Sequence, residues 1–122
     1  MGQLGRIYNL MNNISWDEFK KIEVRIGTII EVNDFPEAIK PAYQLKIDLG
    51  KHIGYKESSA QITELYSKNE LLGKQVLVVV NLSPKKIGPF ISNCLITGFE
   101  IDNKGVVLST PDKSVPNGTL LT

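Results

Sequence analysis

Gln75-Val76-Leu77-Val78-Val79-Val80-Asn81-Leu82-Ser83-Pro84-Lys85-Lys86-Ile87-Gly88-Pro89-Phe90-Ile91-Ser92-Asn93-Cys94-Leu95-Ile96-Thr97 is the stretch whose reading decides the fold. Two apolar runs, Val76–Val80 and Ile91–Ile96, are short and rich in β-branched residues, so each is a strand candidate. The connector between them carries two prolines, a glycine and the adjacent lysines Lys85 and Lys86, which is loop chemistry. The pair reads as a hairpin with a rigid, basic loop, and a ligand is expected to approach near it. Neither run alternates between apolar and polar residues, so both faces are expected to be covered.

The 122 residues are the length of one ordinary domain, with 42% hydrophobic and 22% charged residues. The net charge of +1 provides no overall basic field, so any nucleic-acid contact must come from a local patch. Cys94 is the only cysteine, which excludes an intramolecular disulfide and agrees with a cytoplasmic location. No apolar stretch approaches the roughly 18 residues of a membrane span, and no signal-peptide pattern opens the chain, so membrane insertion is not expected.

Residues 1–13 read as an extension outside the core, with Met11 as an alternative start, and residues 14–122 as a single domain. Ser15 and Glu18 form a capping-box pattern, with Ile14 and Phe19 placed as a hydrophobic staple. Ile22–Ile26 alternates as a strand, continued by Thr28–Val32 after Gly27, where a bulge or sharp bend is expected. Tyr43–Leu49 is the cleanest alternating strand: Tyr43, Leu45, Ile47 and Leu49 face one way, Gln44, Lys46 and Asp48 the other. Ile53–Ile62 is a weaker strand containing the polar run Ser58-Ser59-Ala60-Gln61. Ser67 and Glu70 repeat the capping box before Gly73. Gly98–Leu108 suggests a further hairpin, turning at Asp102–Gly105, and Thr119–Leu121 a last short strand.

Five strands with a helix between the third and fourth is the order of the OB-fold, a small Greek-key barrel. The expected fold is therefore all-β, with short helices and a short C-terminal β extension. The segments Asp17–Phe19, Ile22–Gly27, Asp34–Ala38, Lys40–Ala42, Tyr43–Asp48, Ser58–Ile62, Val76–Asn81, Ile87–Phe90 and Pro116–Gly118 then carry a resemblance. In this order they resemble the CsaA-type export chaperones, relatives of the free-standing tRNA-binding proteins and of the C-terminal domain of some methionyl-tRNA synthetases. Ser58–Ile62 together with Ile87–Phe90 points to the chaperone branch. The resemblance implies a homodimer that binds unfolded export precursors, tRNA-like nucleic acid, or both, with the export machinery as a further partner. Lys85-Lys86 stands where such proteins often carry arginine, Asn93 where an acidic residue is common, and residues 1–13 have no counterpart.

Lys85 and Lys86 are candidates for phosphate or an acidic partner, against the plain reading of solvated lysines. Ser58, Ser59 and Gln61 would let a ligand backbone approach, or form a solvated strand edge. Asn81 and Ser92 flank the central loop and either bind ligand or hold the loop. Arg25 and Lys46 lie on outward positions and would extend a basic track, against the more frequent reading of plain surface charge. Of the aromatic residues Phe35, Tyr43, Tyr55, Tyr66 and Phe90, Tyr43 reads as packing and Phe90 is the candidate for exposed contact, with burial as its alternative. The central hairpin leaves apolar residues on both faces, so Leu77, Val79 and Leu95 are candidates for a dimer interface.

No catalytic set assembles. His52 is the only histidine and Cys94 lies in an apolar run, and the sequence contains neither a P-loop nor a dinucleotide glycine pattern. The expectation is a non-catalytic binding module without metal or cofactor: first a homodimeric chaperone, second a tRNA-binding protein, and remotely a small enzyme.

Overall fold

The computed structural model describes residues 12–122; residues 1–11, most of the expected extension, lie outside the described residues. The chain opens with α1 (Trp16–Lys20), then β1 (Val24–Asp34), β2 (Tyr43–Asp48) and β3 (Tyr55–Ala60). A second one-turn helix, α2 (Lys68–Leu71), precedes β4 (Gln75–Val79). Five short strands follow: β5 (Lys85–Ile87), β6 (Phe90–Ser92), β7 (Leu95–Ile96), β8 (Gly98–Ile101) and β9 (Gly105–Leu108). Both expected capping boxes form, Ser15 with Glu18 and Ser67 with Glu70. Ile14 and Phe19, placed for a staple, are both exposed.

The sheet order β3-β2-β1-β4-β7 is the strand order of an OB-type barrel, all of it antiparallel. From β3 the chain crosses through α2 to β4, which pairs with β1. Leu71 of α2 is fully buried in the main core with Ile29, Leu45, Ile47, Leu49, Val76 and Val78, so the short helix closes one end of the barrel. β1 serves two partners along its length. Its first half pairs with β4, and its second half continues beside β2. The bulge falls at Ile30, three residues after the expected site, where the register slips between Ile29 and Glu31. Gly27 answers a different demand: a Cβ there would collide with Ile47 Cγ2 and Leu49 Cδ2 in the core.

The C-terminal strand expected at Thr119–Leu121 reduces to a single bridge, Arg25 to Leu120. It is flanked by Ile26 N donating to Thr119 O and Leu121 N donating to Val24 O. The β8–β9 hairpin forms as expected, turning through Asn103 and Gly105, both at positive φ. No helix among the described residues is long and apolar enough to cross a membrane.

Candidate ligand-binding face

The connector read as a loop is itself a β-ribbon. β5 and β6 pair Lys85 with Ser92, Lys86 with Ile91 and Ile87 with Phe90. Gly88 and Pro89 form its two-residue turn. A type I′ turn needs positive φ at both positions, which proline forbids, so Gly88 at φ +57° followed by Pro89 selects type II′. This placement changes the reading of the two lysines. Adjacent residues of a strand point to opposite faces. Lys86 shares its face with Ile91, and Lys85 shares its face with Ile87, Phe90 and Ser92. Both lysines are exposed and neither has an ion-pair partner among the described residues.

The second apolar run, read as one strand, breaks at Asn93 and Cys94 into β6 and β7, and the break closes the barrel. Asn93 N donates to Glu57 O at 2.9 Å, and Glu57 N donates to Asn93 Oδ1 at 2.9 Å. A side chain and one amide thus reproduce the reciprocal bonds of a strand pair between β3 and the β6–β7 junction. Ser59 N donates to Ser92 Oγ at 3.3 Å beside them. Asn93 was not among the candidate residues. Its signal in the sequence is a polar residue inside an apolar run.

On the outer sheet face, register partners line up in rows across β1, β2 and β3. Asn33, Gln44 and Ser59 make an uncharged polar row. Glu31, Lys46 and Glu57 make a second, with Lys46 between two carboxylates and its Nζ 5.0 Å from the centre of the Tyr55 ring. Ser59, Ser92 and Lys85 therefore meet at one edge of this face. Gln61 stands exposed just past β3, where with Lys40, Glu64 and the β8–β9 turn it lines an open groove of about 650 Å³.

Other candidates are placed differently. Ser58 is 1% exposed and donates to Ser59 O, so it faces the interior rather than a ligand. Phe90, the candidate for exposed contact, takes the alternative outcome: it is buried at 9% with its ring 5.4 Å from that of Phe35, because the ribbon folds it onto the 35–42 connection. Asn81 does not hold the central connector. Its Oδ1 accepts from Glu23 N at 3.0 Å and its Nδ2 donates to Lys21 O at 2.6 Å, tying the end of β4 to the start of β1. Arg25 does not extend a basic track. Its Nε donates to Glu23 Oε1 and an Nη to Gly118 O, both at 2.6 Å, which anchors the C-terminal segment at the other end of the barrel. Tyr43 packs against the main core and donates its hydroxyl to Tyr66 O, as expected of a packing residue.

Of the three interface candidates, only Leu95 is openly exposed. Val79 is buried between its register partners Val24 and Leu95. Leu77 is partly covered by the chain's own C-terminal segment, lining a groove of about 300 Å³ with Pro111, Val115, Leu120 and Leu121. One group of exposed apolar residues lies beyond it. Phe99 and Val107 are cross-strand partners on one face of the β8–β9 hairpin. The base of that hairpin bonds to Leu77 through Thr97 and Ser109, and Leu120 and Leu121 are exposed on the groove's far side. Trp16 of α1 is 80% exposed.

Cys94 is buried, and burial pushes its thiol up from the ordinary 9.0 to about 12, which keeps it protonated and unreactive at neutral pH. Among the described residues, no group of three or more His, Cys, Asp or Glu side chains is arranged to hold a metal ion.

A nearly closed five-stranded barrel with a polar outer face and an attached ribbon defines a small binding module of the OB class. More particularly, the chain belongs to the family described as "Putative tRNA binding domain", whose profile matches residues 24–120. Among solved structures, the CsaA chaperone protein of Picrophilus torridus is 50% identical with a TM-score of 0.85, over 90% of this chain and 100% of that one. The chaperone CsaA of Bacillus anthracis is 39% identical with a TM-score of 0.86, over 91% of this chain and 100% of that one. The methionine–tRNA ligase of Thermococcus kodakarensis is 39% identical over 108 residues, which are 88% of this chain and 14% of the ligase. The chain thus spans about one-seventh of the length of the curated relatives it matches.

Proposed function

We propose that this protein is a cytoplasmic, homodimeric chaperone of the CsaA type, holding unfolded export precursors without consuming nucleotide. The observation that carries the reading is the match to the CsaA proteins along their whole length at up to 50% identity, together with a sheet face that is not a basic track. Arg25 is committed to the C-terminal segment and Lys46 to Tyr55, with Glu31 and Glu57 on either side of it. Sequence-independent phosphate binding needs several free cations along one path. Exposed Phe99, Ile91, Leu95 and Leu121 instead favour contact with apolar polypeptide.

A second reading, binding of tRNA by shape, is favoured by the exposed Lys85 and Lys86 and by the family's description. The test is parallel titration of the protein with an unfolded precursor and with bulk tRNA at several salt concentrations, with aggregation assays run with and without ATP. Saturable, salt-tolerant binding of precursor and ATP-independent suppression of aggregation are expected. Binding of tRNA alone would reverse the order of the two readings, and an ATP requirement would overturn the mechanism.

A further inference from the structure

Asn117-Gly118 is the one Asn-Gly pair in the chain. In such a pair no side chain shields the glycine amide from the asparagine carboxamide, so an unfolded chain loses ammonia there before its other asparagines. The fold leaves no substitute for the glycine: Gly118 has φ +91°, and a Cβ on it would lie 2.7 Å from Leu49 O. Asn117 and Gly118 are the central residues of a turn in which Thr119 N donates to Pro116 O. Of the two only Gly118 has positive φ, which makes the turn type II. Type II sets ψ of its first central residue at about +120°, which turns Gly118 N away from the Asn117 side chain. Two contacts hold the intervening peptide plane in that setting. Gly118 N donates to Ile26 O at 2.7 Å, and Asn117 O packs so closely on Gly50 that a Cβ there would lie 2.6 Å from it. The side chain is fixed as well, with Oδ1 accepting from Thr28 Oγ1 at 2.8 Å and from Gln75 Nε2 at 3.2 Å.

We propose that Asn117 is a modification site controlled by the C-terminal segment: closed, the segment blocks cyclisation of Asn117 onto Gly118; open, it permits the reaction, and the product prevents reclosure. In the open segment Gly118 N loses its proton to solvent and attacks Asn117 Cγ. The N–Cγ bond forms, the Cγ–Nδ2 bond breaks, and the side-chain nitrogen takes a proton from solvent and leaves as ammonia. Water then opens the imide at either carbonyl. Opening at Cγ leaves aspartate; opening at the main-chain carbonyl leaves isoaspartate, whose backbone runs through Cβ and Cγ and is longer by a carbon. That carbon puts Gly118 and Thr119 out of step with their anchors: Gly118 N on Ile26 O, Arg25 Nη on Gly118 O, and Ile26 N on Thr119 O. The segment that covers Leu77 is then untied. The block lies on the nitrogen rather than the carbon. Thr28 and Gln75 draw electrons from Cγ through Oδ1, which assists attack once Gly118 N is free.

The test incubates the unmodified protein at mildly alkaline pH, folded and in urea, and follows Asn117 by peptide mass spectrometry. In urea Asn117 should deamidate before the other asparagines. In the folded protein it should do so at least about tenfold more slowly, because the rate follows the open fraction. Arg25→Met removes the bond to Gly118 O and leaves Oδ1 untouched, so it should speed the folded reaction about tenfold and leave the reaction in urea unchanged. Equal rates in folded and unfolded parent, no reaction at Asn117 in either, or a folded Arg25→Met no faster than the parent each overturn the proposal. Hydrogen exchange on the parent needs no variant: the Gly118 amide should be protected by a factor within about tenfold of the slowing at Asn117. A Gly118 amide that exchanges freely overturns the block. Protein aged in the folded state is then fractionated by the negative charge that deamidation adds. Its isoaspartate-bearing molecules should lose exchange protection at Ile26 and Leu121, whose amides bond to Thr119 O and Val24 O, whereas Asn117→Asp, with an ordinary backbone, keeps it. Retained protection in the aged molecules overturns the block on reclosure.

Discussion

At the scale of single residues, Asn93 supplies by a side chain what a strand would supply by its backbone. Both its amide and its Oδ1 engage Glu57, so the β3 edge is satisfied where β6 ends and β7 has yet to begin. Asn93→Ala leaves the exposed Glu57 N to water and should lower stability by about 0.5–1.5 kcal/mol in urea unfolding. Asn93→Asp keeps an acceptor oxygen and should remain closer to the parent. Equal loss in both variants would remove the Oδ1 bond from the account. Nothing local in the sequence separates Asn93 from a solvated asparagine, because its partner is 36 residues away. The same holds for Asn81, read as a ligand contact or a loop holder, and for Arg25, read as part of a basic track or as surface charge; they are bonded to Lys21, Glu23 and Gly118.

At the scale of elements, alternation makes the ribbon a two-sided object. Lys85 faces the side of Phe90 and Ser92, Lys86 the side of Ile91. One run of phosphates can therefore engage one of them well and the other poorly. If tRNA binds here, one of Lys85→Ala and Lys86→Ala should flatten the log–log salt dependence by about one unit and the other should change it little. Equal effects would mean that both faces are contacted, and no effect from either would remove the ribbon from the site. The ribbon was hidden in the sequence because proline and glycine usually end structure, whereas here Gly88-Pro89 starts a hairpin return. The helix caps, by contrast, were legible, since a capping box is closed by groups three residues apart.

At the scale of the whole molecule, the β8–β9 hairpin and the C-terminal segment, rather than β4, carry one group of exposed apolar residues. Phe99 is 67% exposed, and Val107, Leu120 and Leu121 are exposed near it around the groove that Leu77 lines. Two-fold pairing buries each such residue twice, at roughly 1.5–3 kcal/mol for every large side chain. Light scattering should therefore give twice the chain mass of 13.6 kDa down to low micromolar concentration. The variant Phe99→Glu with Leu121→Glu should be monomeric with an unchanged circular dichroism spectrum. A monomeric parent would sink the dimer, and a dimeric variant would move its interface to α1, where Trp16 is exposed.

Periodicity and bonds between near neighbours specify β1 to β4, both caps, the β8–β9 turn and the barrel order, so these are legible in the chain alone. The sequence also marked Gly27, although the reason is a core contact with Ile47 and Leu49 rather than a bulge. Only the tertiary structure decided which polar residues are free to meet a ligand. Asn81, Ser92 and Arg25 have bonding capacity that long-range partners consume and Ser58 is turned inward onto Ser59 O, whereas Lys85 and Lys86 keep theirs. It likewise decided that Phe90 belongs to a second core and that Leu77 lies under the C-terminal segment. Whether a side chain is spent on the fold depends on what the chain brings beside it from 33 to 93 residues away, and periodicity carries no information on that.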